Sequence, residues 1–122
     1  MKQQQPSAGV LTTSVRPAAD LAAQLADHGW HVAIVSGAPT LTEALRAIGV
    51  ALDFPSYYGR NLDALNDCLR DLDRPTALLW AGWEPFAVQH AGDWARLLSV
   101  LRARVADATA PFSLICTVET LD

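Results

Sequence analysis

Residues 30–37 read WHVAIVSG, and this stretch decides the fold. It is short, almost continuously apolar and closed by a glycine. A strand buried on both faces reads this way, because neither set of its alternating side chains meets water. Two further runs share the character, TALLWAGW over 76–83 and FSLICTVE over 112–119. Helical patterns separate the three. Strands joined through helices favour a small parallel sheet, since a parallel neighbour is reached only by a crossover.

Working outward, residues 17–29 read PAADLAAQLADHG: a proline in the first turn, Leu21 and Leu25 four apart, and Gly29 as a stop. This is the pattern of a helix. Thr40 and Glu43 have capping-box spacing and open a second helix over about 40–52, with Leu41, Ala44, Leu45 and Ile48 on one face. Pro55 ends that region. Asn61 is a good N-cap for the next helix, where Leu62, Leu65, Leu69 and Leu72 fall in one narrow sector. Residues 86–90 fit no single class. A last helix is expected from Asp93 to about Asp107, with Leu97, Leu98, Leu101 and Val105 as its stripe. The expected order is α-β-α-α-β-α-β: an α/β domain over 17–122 with a three-stranded parallel sheet. Residues 1–16 are polar without a period and are expected to be a flexible arm.

The chain has 122 residues, 51% hydrophobic and 18% charged. That suits one globular domain and argues against disorder. No apolar run reaches the roughly 18 residues that span a bilayer. The first residues lack the apolar core of about 7–15 residues that a secretory signal needs, so the cytoplasm is the expected location. Cys68 and Cys116 are isolated in apolar contexts and are read as reduced thiols. His28, His31 and His90 are scattered, with no metal-ligand spacing, and no cofactor motif is present.

The net charge is −4, which argues against direct nucleic-acid binding. Residues 53–73 hold five acids and two bases, so most of the excess lies in one segment. Within it, Asp63, Asp67 and Asp71 recur every fourth residue, opposite the leucine face. Like charges at this spacing each cost a helix about 0.2–0.5 kcal/mol. Asp63 gains from the helix dipole at its end, and Asp71 does not. A solvated helix face explains such a stripe; so does a surface completed by a cationic partner. Tyr57 and Tyr58 precede the helix and are expected to point to opposite sides, one inward and one outward. Gly59 would allow a tight turn there. Asp63 and Asp67 are one turn apart, but paired acids do chemistry in a cleft that separates their pKa values, and an exposed helix face supplies little of this. The reading is therefore of a binding protein and not an enzyme.

The segment PSYYGRNLDALNDCLRDL resembles the signature of the barstar family, intracellular protein inhibitors of secreted microbial ribonucleases. The likeness runs through Pro55, Tyr57, Tyr58, Gly59, Asn61, Leu62, Asp63, Ala64, Leu65, Asp67, Cys68 and Leu69. The element order from Trp30 to Glu119 fits as well, leaving the 17–29 helix and the arm as additions. The resemblance implies a stoichiometric inhibitor, monomeric before binding, that plugs the active site of a basic ribonuclease or related bacterial toxin, as an antitoxin or immunity protein does. It implies a partner surface of Tyr57, Tyr58, Gly59, Asn61, Asp63, Asn66, Asp67, Arg70 and Asp71, with Asp67 standing in for the scissile phosphate. The chain departs from the best-known member at Asn66 and Leu72, where that protein has tryptophan, at Arg60, where it has an acid, and at Ala103, where it has a contacting glutamate. These departures bear on which partner is bound; a regulatory or interaction module without a nuclease target is the alternative.

Overall fold

A computed structural model describes residues 11–14, 16–55, 58–59, 61–107 and 110–118. The three expected strands are present as β2 (His31–Ser36), β3 (Thr76–Ala81) and β4 (Phe112–Thr117), all parallel. A fourth, β1 (Leu11–Ser14), pairs in parallel with β4, giving the order β1-β4-β3-β2. β2 is thus an edge strand and not covered on both faces as its apolar run suggests: Ala33 and Val35 are buried in the core, while Ile34 on the other face is 44% exposed. The segment read as an arm therefore contributes an edge strand at 11–14. Residues 1–10 lie outside the described residues. LTTS carries two β-branched threonines, and β4 offers it a free row of backbone groups.

Five helices surround the sheet among the described residues: α1 (Ala18–Asp27), α2 (Leu41–Ala51), α3 (Leu62–Arg70), α4 (Glu84–Gln89) and α5 (Ala91–Ala106). The ambiguous 86–90 stretch resolves into the short α4, helped by a proline in its first turn and by the buried Phe86. The alternation of β3 explains its unbroken apolar run. Leu78 and Trp80 face a core built with α2, α3, α4 and α5, while Ala77 and Leu79 face Leu25 of α1 on the other side. Phe112, Leu114 and Cys116 of β4, with Ala33 and Val35 of β2, complete the larger core.

Helix ends are set by local chemistry. At the end of α1, Trp30 N–H donates to Leu25 O (3.1 Å) and Gly29 N–H to Ala26 O (3.0 Å), with Gly29 at φ 85°. This paired closure needs a left-handed residue, and glycine adopts it freely. At the end of α2 the same closure uses Asp53 at φ 59°: Phe54 N–H donates to Gly49 O (2.9 Å) and Asp53 N–H to Val50 O (3.2 Å). Thr40 Oγ1 caps α2 by accepting from Glu43 N–H (3.2 Å). Among the described residues, no helix is long and apolar enough to cross a membrane.

Candidate functional site

The closure at Asp53 turns the chain toward α3. Tyr58 N–H then donates to Pro55 O at 2.9 Å. Tyr58 packs inward against the core. Its ring meets Phe54 edge-on at 5.1 Å between centroids, and its hydroxyl donates to Leu45 O at 3.1 Å. The ring also lies over Gly49, where a β-carbon would come within 2.6 Å of it. A bare backbone at Gly49 thus lets the loop lie flat on α2. Tyr57 and Arg60 lie outside the described residues.

Asn61 starts α3 by accepting Ala64 N–H on its Oδ1 (2.8 Å), so its side chain is engaged as a cap. Gly59 sits close by: a β-carbon there would meet Asn61 Nδ2 at 3.2 Å. The backbone of Gly59 is not left-handed, so what bears on a side chain there is the close approach of Asn61, whose amide would have to give by a few tenths of an ångström. Leu65 and Leu69 are fully buried and Leu62 and Leu72 pack beside them. Burying one such leucine contributes about 1.5–3 kcal/mol, which orients the helix. The outward face presents Asp63, Asp67 and Asp71 to solvent, with Asn66 half-buried and Arg70 exposed. Asp67 accepts from Arg70 Nη2 at 2.9 Å on a largely exposed surface.

The carboxylates act on their surroundings. The Cys68 thiol is held above its usual pKa by burial, then by Asp71 and Asp67. Cys116, buried near the end of β4, is pushed up to about 11 by burial and then by Glu84. Both thiols are free.

Arg104 of α5 lies behind the C-terminal end of α3. It is 3% exposed, and it donates to Leu69 O from Nε (2.8 Å), to Ala110 O from Nη1 (2.9 Å) and to Leu72 O from Nη2 (3.3 Å). Its guanidinium also sits 5.6 Å from the centre of the Phe112 ring. The sequence reading passes over this residue. Its one signal is spacing, since Arg104 follows Leu97 and Leu101 along the apolar stripe of α5.

Two open hollows flank the loop. One of about 330 Å³ is lined by Arg46, Val50, Asp53, Phe54, Pro55 and Tyr58 among others. The other, about 490 Å³, lies between the starts of α2 and α3 and includes Asp63 but not Asp67. Among the described residues, neither of these two hollows takes in both paired acids. Open α/β sheets commonly hold ligands at the carboxyl ends of their strands. Here two indoles fill that end: Trp80 Nε1 donates to Gly37 O and Trp83 Nε1 to Thr117 O, each at 3.0 Å.

The parallel sheet packed with helices defines an α/β class, and comparison with known proteins gives the family: residues 30–117 match the family described as Barstar (barnase inhibitor), and the chain belongs to that family. Among particular proteins, it is 41% identical over 66 residues to one from Bacillus subtilis (strain 168) described as "Putative ribonuclease inhibitor YrdF". The match covers 52% of this chain and 71% of that protein. Strand β1 and the whole of α1 precede the matched segment.

Proposed function

We propose that this chain is a cytoplasmic, stoichiometric inhibitor of a basic microbial ribonuclease, monomeric until it binds, and that it blocks the enzyme's active site with the loop at 57–61 and the outer face of α3. One observation carries the reading. The leucine face of α3 is consumed by the core, while Asp63, Asp67 and Asp71 are left to solvent. Family membership and the name of the Bacillus subtilis relative support a nuclease as the target. In this reading Asp67 takes the place of the scissile phosphate among the enzyme's cationic side chains, since charge-assisted bonds to arginine are short and strong. Asp63, Asn66 and Asp71 surround it, Tyr57 and Asn61 add polar contacts, and Tyr58 and Gly59 hold the loop in shape.

The test is Asp67→Ala against a panel of small basic ribonucleases, with inhibition and affinity both measured. Truncating a carboxylate buried by a partner costs about 2–5 kcal/mol, a range that barnase–barstar measurements helped to set. A folded Asp67→Ala protein with undiminished inhibition overturns the mechanism. The Asp67–Arg70 bond favours a second reading, an interaction module whose target is not a nuclease, because it offsets the charge of the plug itself. Failure of the wild-type protein to inhibit any ribonuclease, with capture of another protein through the same face, supports that second reading.

A further inference from the structure

We infer that Arg104 is a positioning residue for the partner-binding face: it fastens the C-terminal half of α3, and with it Asp67 and Asp71, in the geometry a partner meets. The inference rests on the functional reading above for its binding consequence and on the structure for the rest. The last carbonyls of a helix have no partner within it. In the last turn of α3, Leu69 O accepts a 3.2 Å bond from Leu72 N–H just past the helix, and one guanidinium from another helix adds a second donor to Leu69 O and supplies a donor to Leu72 O beyond the helix end. The third bond, to Ala110 O, ties the same guanidinium to the segment entering β4. A single planar fork thus links α3, α5 and the central sheet. Arginine suits this task, since its donors are fixed in one plane, whereas lysine carries a compact charge on a flexible stem.

The same contact answers a difficulty in the acidic stripe. Asp71 stands at the end of α3 where the helix dipole opposes a negative charge. A buried cation bonded to the carbonyls at that end offsets the dipole where it is strongest. The stripe can then run the length of the helix without fraying its last turn. Rigid presentation matters for binding, because order already present in the free protein is not lost on association.

Arg104→Lys and Arg104→Met separate the fork from the charge, and two measurements judge them. The first is amide hydrogen exchange of the free protein. A positioning role predicts faster exchange confined to the second half of α3, with β3 and β4 protected as before. A purely structural role predicts that all protected amides accelerate together. The second is the dissociation rate from a ribonuclease that the wild-type protein inhibits, measured where each variant is fully folded. It is expected to rise about tenfold, with association and its salt dependence little changed, as for most interface effects that do not alter charge steering. Uniform exchange, or a folded Arg104→Met protein with the wild-type dissociation rate, overturns the inference. If the wild-type protein inhibits no ribonuclease, the functional reading falls. Exchange alone then decides whether Arg104 fastens α3, selective loss upholding it and uniform loss overturning it.

Discussion

Tyr58 lies across Gly49 so closely that a β-carbon at Gly49 would stand 2.6 Å from the ring. A helix residue and a loop residue nine positions apart are thereby matched in shape. Replacing glycine by alanine inside a helix normally gains roughly 0.5–1 kcal/mol. At Gly49 the gain is opposed. The ring must move, and with it go the Phe54 edge contact and the hydroxyl bond to Leu45 O. Overpacking typically costs about 1–3 kcal/mol. Gly49→Ala is therefore expected to destabilise by about 1 kcal/mol net. Urea unfolding checks this, and a more stable variant would show that the ring does not rest on Gly49 in solution.

The exposed Arg70–Asp67 pair leads to the opposite kind of result. Surface pairs at this spacing contribute about 0–1 kcal/mol, so Arg70→Ala leaves stability within about 0.5 kcal/mol of wild type. It also frees the Asp67 carboxylate and makes the face more negative. Association with a cationic partner is then expected to quicken, most strongly at low salt, and affinity to rise several-fold. Weaker binding by Arg70→Ala would instead make Arg70 a contact in its own right.

His31 gives a pH dependence whose sign follows from its surroundings. Arg74 Nη2 donates to His31 Nδ1 at 3.3 Å, which requires that nitrogen to be unprotonated. Burial first, then Arg74, lower the pKa below 6.5, with Asp53 opposing. The unfolded chain takes up this proton at about 6.5, before the folded protein does. Just below that pH the unfolded state binds more protons, so stability falls as pH falls through 6.5 toward the folded value. Above 6.5 the ring is neutral in both states and contributes no slope. Unfolding free energies of wild type and His31→Gln, compared between about pH 7 and pH 5, should differ in slope, with wild type the steeper. Parallel profiles would remove His31 from the account.

Much of this architecture is legible in the chain, for identifiable reasons. The runs at β3 and β4 declare themselves because both faces of an inner strand are covered, so no polar alternation survives; the run at β2 is as apolar, although that strand lies at the sheet edge with Ile34 44% exposed. Gly29 and the Thr40–Glu43 spacing mark helix ends because capping is a short-range matter. The two faces of α3 separate cleanly, since leucine and aspartate repeat at different phases of one helix. Strand β1 is not legible in this way. Its four residues carry no apolar pattern, and only the free edge of β4, a hundred residues away, makes them a strand. Arg104 is hidden for a related reason. An arginine on a helix reads as solvated until the carbonyls of Leu69, Leu72 and Ala110 are placed around it.

The additional β1–α1 segment tests whether fold and function can be separated. Leu25 of α1 is 4% exposed and packs against Ala77 and Leu79 on the sheet face turned away from α3. Removing buried leucine atoms costs about 2–5 kcal/mol, depending on how far the site collapses. This smaller core contains few fully buried side chains and lies near solvent, so Leu25→Ala is placed at the lower end, about 2–3 kcal/mol. Leu69→Ala, in the larger core and under the binding face, belongs at the upper end. The two variants should also part company in binding. Leu25→Ala acts through the far side of the sheet, so once folded it should hold a partner as tightly as wild type. Leu69→Ala removes the packing that orients α3 and should weaken the complex as well. Urea unfolding and partner affinity, measured on both, check the pair. A loss of affinity in Leu25→Ala equal to that in Leu69→Ala would mean that the sheet transmits changes from one face to the other, and that α1 belongs to the binding machinery.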